Sequence, residues 1–574
     1  MMWFIHNPER LKTEVTDIEA LRANAPWLVI ATPRMMPGLQ FAVDFDMVVN
    51  GDALPFTLTY PAFFPETPPS VLPRDGRHYS NHQWGQGGEF CLEYRTDNWD
   101  PAVTGAMMIE SAYRLLSGEQ PALDRRAVVP SAHQTTLGQQ LRSASCRAFL
   151  TRGLRDYVAT LESGCGYPCH IVETLGPRRT WTAYVASIGP LATPVWQEDT
   201  IPPGDSQGSP GLLVRLPSLD GAVVFEQEHL DRIVASMAVG GEAPANDAAT
   251  SRFTVLADAT TAQFYFSFFH EATWKLLHYR TIDISTETGT RLPESYAAMA
   301  GKRVGIVGCG SLGSKIAASL ARSGVRQFVL IDDDILKPGN LTRNELGAES
   351  LGAHKADALE ERLRAVAPKV TVEVWRVDLG GQESSGSTAT ILDALAECSL
   401  LIDATADPQA FNFVASVALR ARSPMIWAEV YAGGIGGLVA RLRPGIEPPP
   451  HAARRQYLAW CRSQGVPWHG QGDDYDAHRD DGPPLIADDA DVAVIAAHTS
   501  RMAIDVLVRS DTSIFPHPAY VIGLAADWVF DEPFDTRPID FFAEGEWPLP
   551  VSREQAGAAL EYLISLLDRA DDAG

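Results

Sequence analysis

Positive charge is in short supply: 47 Lys and Arg stand against 72 Asp and Glu, a formal net charge of −25 at pH 7. A groove that tracks phosphates needs clustered basic side chains, so nucleic acid is excluded as the main partner. Long apolar runs are missing too. No stretch reaches the ~20 apolar residues of a membrane helix, so no membrane span is expected. The opening MMWFIHNPERLKTEV has no basic region followed by an apolar run, and a secretory leader is not expected. Cysteine is sparse, with seven in 574 residues. That excludes a disulfide scaffold and reads as reduced thiols in the cytoplasm, some of them catalytic. Internal repeats and long low-complexity tracts are absent.

What is present is an ordinary core-forming composition, 45% hydrophobic and 21% charged. At roughly 100–200 residues per domain, three or four domains are expected. Residues 1–150 predict a helix over 8–25, strands at 27–32, 40–48 and 55–60, a Pro-rich segment, a polar Gly-rich loop and a helix over 102–116. Residues 151–298 predict a mixed α/β linker domain, with strands at TAYVAS, LLVRL, AVVF, FTVLAD and FYFSFF and a surface loop at 239–251. Its role is not legible. From 299 to 550, short apolar strands alternate with helices, which implies right-handed βαβ units in a mostly parallel sheet. Residues 444–485, rich in Pro, Gly, Asp and His, read as a long loop, 486–510 as a helix, and 551–574 as a helical tail. The fold class is therefore α/β multidomain, ending in a Rossmann-like doubly wound domain.

Gly308-Cys309-Gly310-Ser311-Leu312-Gly313 follows a strand and opens a helix. Glycines there let the backbone approach phosphates at a helix N-terminus, where free N–H groups favour anions. On these residues alone, a nicotinamide-dependent oxidoreductase is an equal reading. The next residues decide. Asp332 ends the second strand, where an acid binds a ribose hydroxyl, and Asp333, Asp334, Asn340, Arg343 and Lys355 follow.

This grouping resembles the ubiquitin-activating family and its bacterial ThiF/MoeB/HesA-type relatives, over 299–440 and more loosely over 486–510. The resemblance implies ATP and Mg²⁺. Gly308, Gly310, Gly313, Asp332 and Asp334 would line the nucleotide site, while Asn340, Arg343 and Lys355 hold the phosphates. Arg and Lys would neutralise the charge that builds when a carboxylate attacks the α-phosphate. In Asp403-Ala404-Thr405-Ala406-Asp407 the family's Asp-x-Thr-Asp carries one extra residue. Asp407 is its best match as the magnesium ligand, although Ala406 holds the direct register. The family also implies a homodimer through the adenylating domains, with Arg280 and Arg291 as possible donors to a partner's site.

Near the N-terminus, Tyr60-Pro61, Phe64-Pro65, Pro68-Pro69-Ser70-Val71, Gly88-Glu89-Phe90-Cys91-Leu92 and Trp99-Asp100-Pro101 resemble the ubiquitin-conjugating family over 40–117. The resemblance implies an α+β conjugating fold with Cys91 as acyl carrier. The family's supporting Asn is replaced by candidates Asn81, His82 and His78. A thiol suits the chemistry because its thiolate is nucleophilic and leaves well, although at a pKa of about 8.5 little is ionised at neutral pH.

Cys461, with Arg462 beside it, is the candidate relay thiol of the adenylating domain. The other course is direct passage from the adenylate to Cys91. Cys309 and Cys398 read as packing residues, and Cys165 and Cys169 have metal-like spacing without a second cluster. Fusions of both domains resemble the bacterial anti-phage (CBASS) conjugation enzymes. The implied partners are a protein with a free C-terminal tail, either a cyclic-nucleotide synthase or a ubiquitin-like protein, and target-protein amines. A non-catalytic scaffold is the alternative of another class.

Overall fold

The computed structural model describes residues 2–80, 82–84, 87–119, 136–201, 208–219, 223–239, 251–286, 291–367, 369–381, 385–465, 476–477, 485–549 and 552–571. Asn81, nearly all of the 239–251 segment and part of the 444–485 segment lie outside them. Two compact units emerge: residues 1–146 with 178–180, and residues 147–177 with 181–574.

In the first unit, the helix Pro8–Asn24 is capped by Asn7, whose side chain accepts the Arg10 N–H. An antiparallel sheet follows in the order Leu28–Ile30, Gln40–Val49, Asp52–Thr59 and Ser70–Pro73, with Arg34–Met36 paired to Gln40–Val49. A two-stranded hairpin, Gln83–Trp84 with Glu89–Phe90, precedes the helix Gly105–Glu119. Phe45, Phe56, Leu58, Tyr60, Ile109 and Leu116 fill the core between sheet and helices. Glu14 is fully buried there. One of its oxygens accepts the Arg10 Nε–H at 2.9 Å, and the other accepts the Tyr60 hydroxyl and the Gly105 N–H, both at 2.7 Å. A Cβ at Gly105 would lie 2.0 Å from the Tyr60 hydroxyl, so this helix start tolerates only glycine.

The middle segment forms a nine-stranded sheet. The additional pairing of Cys165–Gly176 with Thr180–Ile188 links the two arms of a seven-strand run into a ring. Its first strand, Cys146–Leu150, and its last, Thr273–Asp283, lie side by side and parallel, with Arg147 opposite Arg280 and Leu150 opposite Asp283. The expected strand at 222–225 does not form in its described part. Val224 instead buries its side chain and donates its N–H to the Tyr265 hydroxyl. Cys165 and Cys169 sit on one strand. Four residues at ~3.3 Å each keep them some 13 Å apart, too far to share a metal.

The C-terminal segment carries an eight-stranded sheet in the order Thr371–Trp375, Gln327–Ile331, Arg303–Val307, Leu400–Asp403, Met425–Val430, Gly436–Leu442, Ala519–Gly523 and Thr536–Ile539. The first five strands are parallel and the last three antiparallel. Helices Ser311–Ser323, Lys355–Val366 and Asp489–Val508 bury one face. Helices Ser385–Ala396, Pro408–Ala421 and Pro450–Ser463 bury the other. The last of these corrects the long-loop expectation: Pro450 supplies a pre-set first turn, and Ala453, Tyr457 and Cys461 recur at helical spacing to form an inward stripe. Among the described residues no helix is long and apolar enough to cross a membrane. The final helix, Arg553–Asp571, exposes Leu560, Tyr562, Leu563 and Ile564.

Candidate functional site

Where the strand order reverses, between Arg303–Val307 and Leu400–Asp403, a pocket of about 260 Å³ opens at the carboxyl ends of the strands. Such a switch point is where open α/β sheets bind ligands. Gly308 turns the chain with φ +88°, and a Cβ there would meet the Ala404 backbone at 3.0 Å. At Gly313 a Cβ would fall 1.8 Å from the Gly308 carbonyl oxygen, so helix and turn could not close. At Gly310 a Cβ would meet nothing within 4 Å. That open side lines the pocket. The helix Ser311–Ser323 starts with no side-chain cap, leaving N–H groups for an anion. Ser311, 6% exposed, lines the pocket with a hydroxyl that has no hydrogen-bond partner among the described residues. Its place inside the glycine motif was the signal that sequence reasoning passed over.

Asp332, Asp334, Asn340, Arg343, Lys355 and Asp407 all line the same pocket. Asp332 accepts the Cys309 N–H at 2.7 Å and the Asp334 N–H at 2.9 Å. Burial raises its pKa, and those N–H groups and the Lys355 charge offset only part of the rise. Asp334 faces burial as well, but hydrogen bonds from Lys355 and the Ile335 N–H outweigh it and hold its carboxyl below the usual range. Its oxygens take Lys355 Nζ at 2.5 Å and Lys337 Nζ at 3.3 Å. It is thus a holder of lysines at the pocket's edge. Asn340 accepts the Lys337 N–H at 2.8 Å, which folds the turn that presents Arg343. Arg343 reaches the Ala487 carbonyl at 3.4 Å, just ahead of the helix Asp489–Val508.

The extra residue after Asp403 has a structural account. Ala406 takes φ +57°, a left-handed kink that absorbs the insertion. Asp407 then caps the helix Pro408–Ala421, its two oxygens accepting the Gln409 and Ala410 N–H groups at 3.0 and 3.1 Å. Each oxygen keeps a second lone pair. Among the described residues no group of three or more His, Cys, Asp or Glu gathers for a metal. Asp407 would offer magnesium one carboxylate, with substrate phosphates as the other ligands, the ion's usual manner of binding. Behind Asp407, Asp403 is buried and pushed up to about 6 by burial, with one oxygen unpartnered among the described residues. Glu429 is pushed up to about 7 by burial, with Asp403 adding to the shift.

In the first unit, Phe90 and Leu92 are buried on either side of Cys91. Alternation along an extended chain turns the Cys91 side chain away from theirs. Its N–H is held by the His82 carbonyl at 2.7 Å, one step beyond the Gln83–Phe90 pair of the hairpin. Gln83 organises the loop: its amide oxygen accepts the Tyr79 and Ser80 N–H groups, and its amide nitrogen donates to the Arg77 and Gly88 carbonyls. Trp99 donates its indole N–H to the Pro65 carbonyl at 2.7 Å, tying the Trp-x-Pro element to the Pro-rich loop. Partial burial raises the Cys91 thiol, and the Arg95 charge offsets some of that.

Cys461 is placed differently from expectation. It is 3% exposed, in the core against Tyr457, and burial raises its thiol. A transfer thiol needs access and a stabilised thiolate, and this position offers neither. Cys309 and Cys398 are buried as expected of packing residues.

A parallel sheet with a glycine turn, an acid after the second strand and basic groups on one pocket defines a Rossmann-like α/β domain. The C-terminal region is a ThiF domain: residues 290–508 match the ThiF family. The chain is 30% identical over 237 residues to the uncharacterized protein y4qC of Sinorhizobium fredii, 40% of each chain. It is 32% identical over 113 residues to the ATP-dependent ubiquitin transferase-like protein Cap2 of Pseudomonas aeruginosa, 19% of each. To the sulfur carrier protein ThiS adenylyltransferase of Escherichia coli it is 29% identical over 140 residues, 24% of this chain and 52% of that one. The matches thus span at most about half the length of these relatives.

Proposed function

We propose that the chain uses ATP to adenylate the C-terminus of a partner protein, takes the acyl group onto Cys91 as a thioester, and passes it to a target amine. The observation that carries this is a single pocket. It joins an uncapped helix N-terminus, an unpartnered Ser311 hydroxyl, and Arg343 and Lys355. The names of the Cap2 and ThiS adenylyltransferase relatives support ATP-dependent adenylation and transfer.

In the first step the tail carboxylate attacks the α-phosphorus, and the bond to pyrophosphate breaks. Arg343 and Lys355 neutralise the growing charge, Asp332 takes the ribose, and the N–H groups at Gly310–Ser311 cradle phosphate. Magnesium, held by Asp407 with the phosphates, would screen their charge. In the second step the Cys91 thiolate attacks the acyl carbon and AMP leaves. In the third the amine attacks the thioester, loses one proton and forms an amide, and Cys91 leaves as thiolate. The helix, antiparallel sheet, thiol loop and second helix of residues 1–146 support a conjugating-type domain.

The tail donor in this reading is a cyclic-nucleotide synthase in bacterial anti-phage defence. A ubiquitin-like protein is the alternative, and a homodimer through the ThiF domains is the assembly. The test is ATP–pyrophosphate exchange with the partner protein present. Exchange that needs the partner and yields a reductant-sensitive adduct on Cys91 supports the reading, and exchange without any Cys91 adduct removes its second half. Light scattering at micromolar concentration checks the dimer.

A further inference from the structure

One buried pair in the first unit has no part in any step above. His82 and Glu119 are 5% and 6% exposed, with imidazole Nε2 3.5 Å from a Glu119 carboxylate oxygen. Among the described residues neither Glu119 oxygen has a hydrogen-bond partner, and the imidazole at 3.5 Å is a polar contact of the pair. His82 belongs to the thiol loop, and Glu119 is the last residue of the helix Gly105–Glu119. His82 also accepts the Cys91 N–H through its carbonyl at 2.7 Å, and its own N–H donates to the Ser80 hydroxyl at 2.9 Å.

We infer that Glu119 and His82 are positioning residues that fix the backbone of Cys91 for acyl transfer to the amine. A buried polar side chain is costly without a polar neighbour, and separating the pair would take the imidazole contact from Glu119, so Glu119 holds the imidazole in place. Through its carbonyl the same residue holds the Cys91 amide. Displacing Cys91 therefore means pulling His82 from its buried contact with Glu119. The helix end thus reaches the thiol backbone through one residue, and the thioester keeps one orientation while an amine approaches. Both side chains are too buried to touch substrate, so the role is orientation and not proton transfer.

This inference rests on Cys91 being the acyl carrier, and its experiment separates the two claims. In the full chain, amide hydrogen exchange at Cys91 and aminolysis of the Cys91 thioester by free lysine are measured. Wild type is compared with His82→Ala, Glu119→Ala, the double variant and Glu119→Gln. Both Ala variants are expected to speed Cys91 amide exchange at least tenfold and to slow aminolysis about tenfold. The double variant should be no worse than the worse single one, since both break one linkage. Glu119→Gln keeps an acceptor for the imidazole and should restore aminolysis to within about threefold, which general damage to the fold would not allow. Unchanged exchange at Cys91 in both Ala variants, additive losses in the double variant, or no rescue by Gln would each overturn the linkage. If wild type forms no Cys91 thioester, the acyl-carrier reading fails, while the exchange arm still decides whether the pair anchors the Cys91 backbone.

Discussion

Lys355 donates a 2.5 Å hydrogen bond to Asp334 at the rim of the ThiF-domain pocket, and its own N–H closes on the Asp334 carbonyl at 2.9 Å. The acid and the first residue of the helix Lys355–Val366 are therefore one unit, and a phosphate reaching Lys355 meets a cation already held in place.

Removing either basic group should cost transition-state stabilisation. Arg343→Ala loses a charge-assisted phosphate contact, about 2–4 kcal/mol, which is roughly a 30- to 1000-fold drop in pyrophosphate exchange. Lys355→Ala should fall comparably. Asp334→Asn should fall less, because the lysine stays but is loosely held. Exchange kinetics with partner and ATP check the ranking, and equal rates in all three variants would detach this pocket from the chemistry.

The two thiols should separate cleanly. Cys91→Ala abolishes the reductant-sensitive adduct and Cys91→Ser traps a more stable oxyester, while exchange persists in both. Cys461→Ala should still charge Cys91, because that thiol is 3% exposed. Its loss should cost only about 1 kcal/mol of stability, the scale of a small buried truncation. Non-reducing gels with peptide mapping read the adducts, and an uncharged Cys91 in Cys461→Ala would restore the relay.

Buried Glu429 gives a pH signature. Its carboxyl, ordinarily near 4.5, is pushed up to about 7 by burial, so the folded chain holds a proton that the unfolded chain has released. The stabilisation is complete below the unfolded value and is lost as pH rises through about 7. Glu429→Gln should remove that dependence and stabilise the ThiF domain at pH 8 by up to about 3 kcal/mol relative to pH 4.5. Urea denaturation at several pH values measures it, and parallel wild-type and variant curves would contradict it.

Glu14 carries three donors in a buried site, and Glu14→Ala leaves the Arg10 charge, the Tyr60 hydroxyl and the Gly105 N–H without it. Breaking a buried pair by removing one member costs about 3–5 kcal/mol. The unfolding of the first unit should shift accordingly, while pyrophosphate exchange by the ThiF domain is retained. Denaturant titration followed by tryptophan fluorescence reports the shift.

The pocket's frame was legible because buried parallel strands read as unbroken apolar runs and its turn as glycines at fixed spacing. Gly308, Asp332, Arg343 and Lys355 are close in chain order, and it was the resemblance to the ubiquitin-activating family that drew them together; all four line one pocket. The helix Pro450–Ser463 was hidden because its Pro- and Gly-rich flanks outweighed its inward stripe. The strand Cys165–Gly176 was hidden by a Pro, two Cys and a His that suggested chemistry instead of pairing. The interior place of Cys461 depends on which helix face meets the sheet, and an isolated cysteine carries no mark of that. Glu119 was out of reach for a different reason: its partner His82 is set by how a loop folds against a distant helix end.

The middle segment has a mechanical consequence. Its entry strand Cys146–Leu150 and exit strand Thr273–Asp283 are parallel neighbours, so the chain arrives at one edge of the ring and departs from the opposite edge. Tension drawn through the chain would slide these two strands lengthwise past each other. Their shared hydrogen bonds would bear the load together and not peel one after another. The segment can thus pass a pull from one flank to the other without opening first, as a strut and not as a hinge.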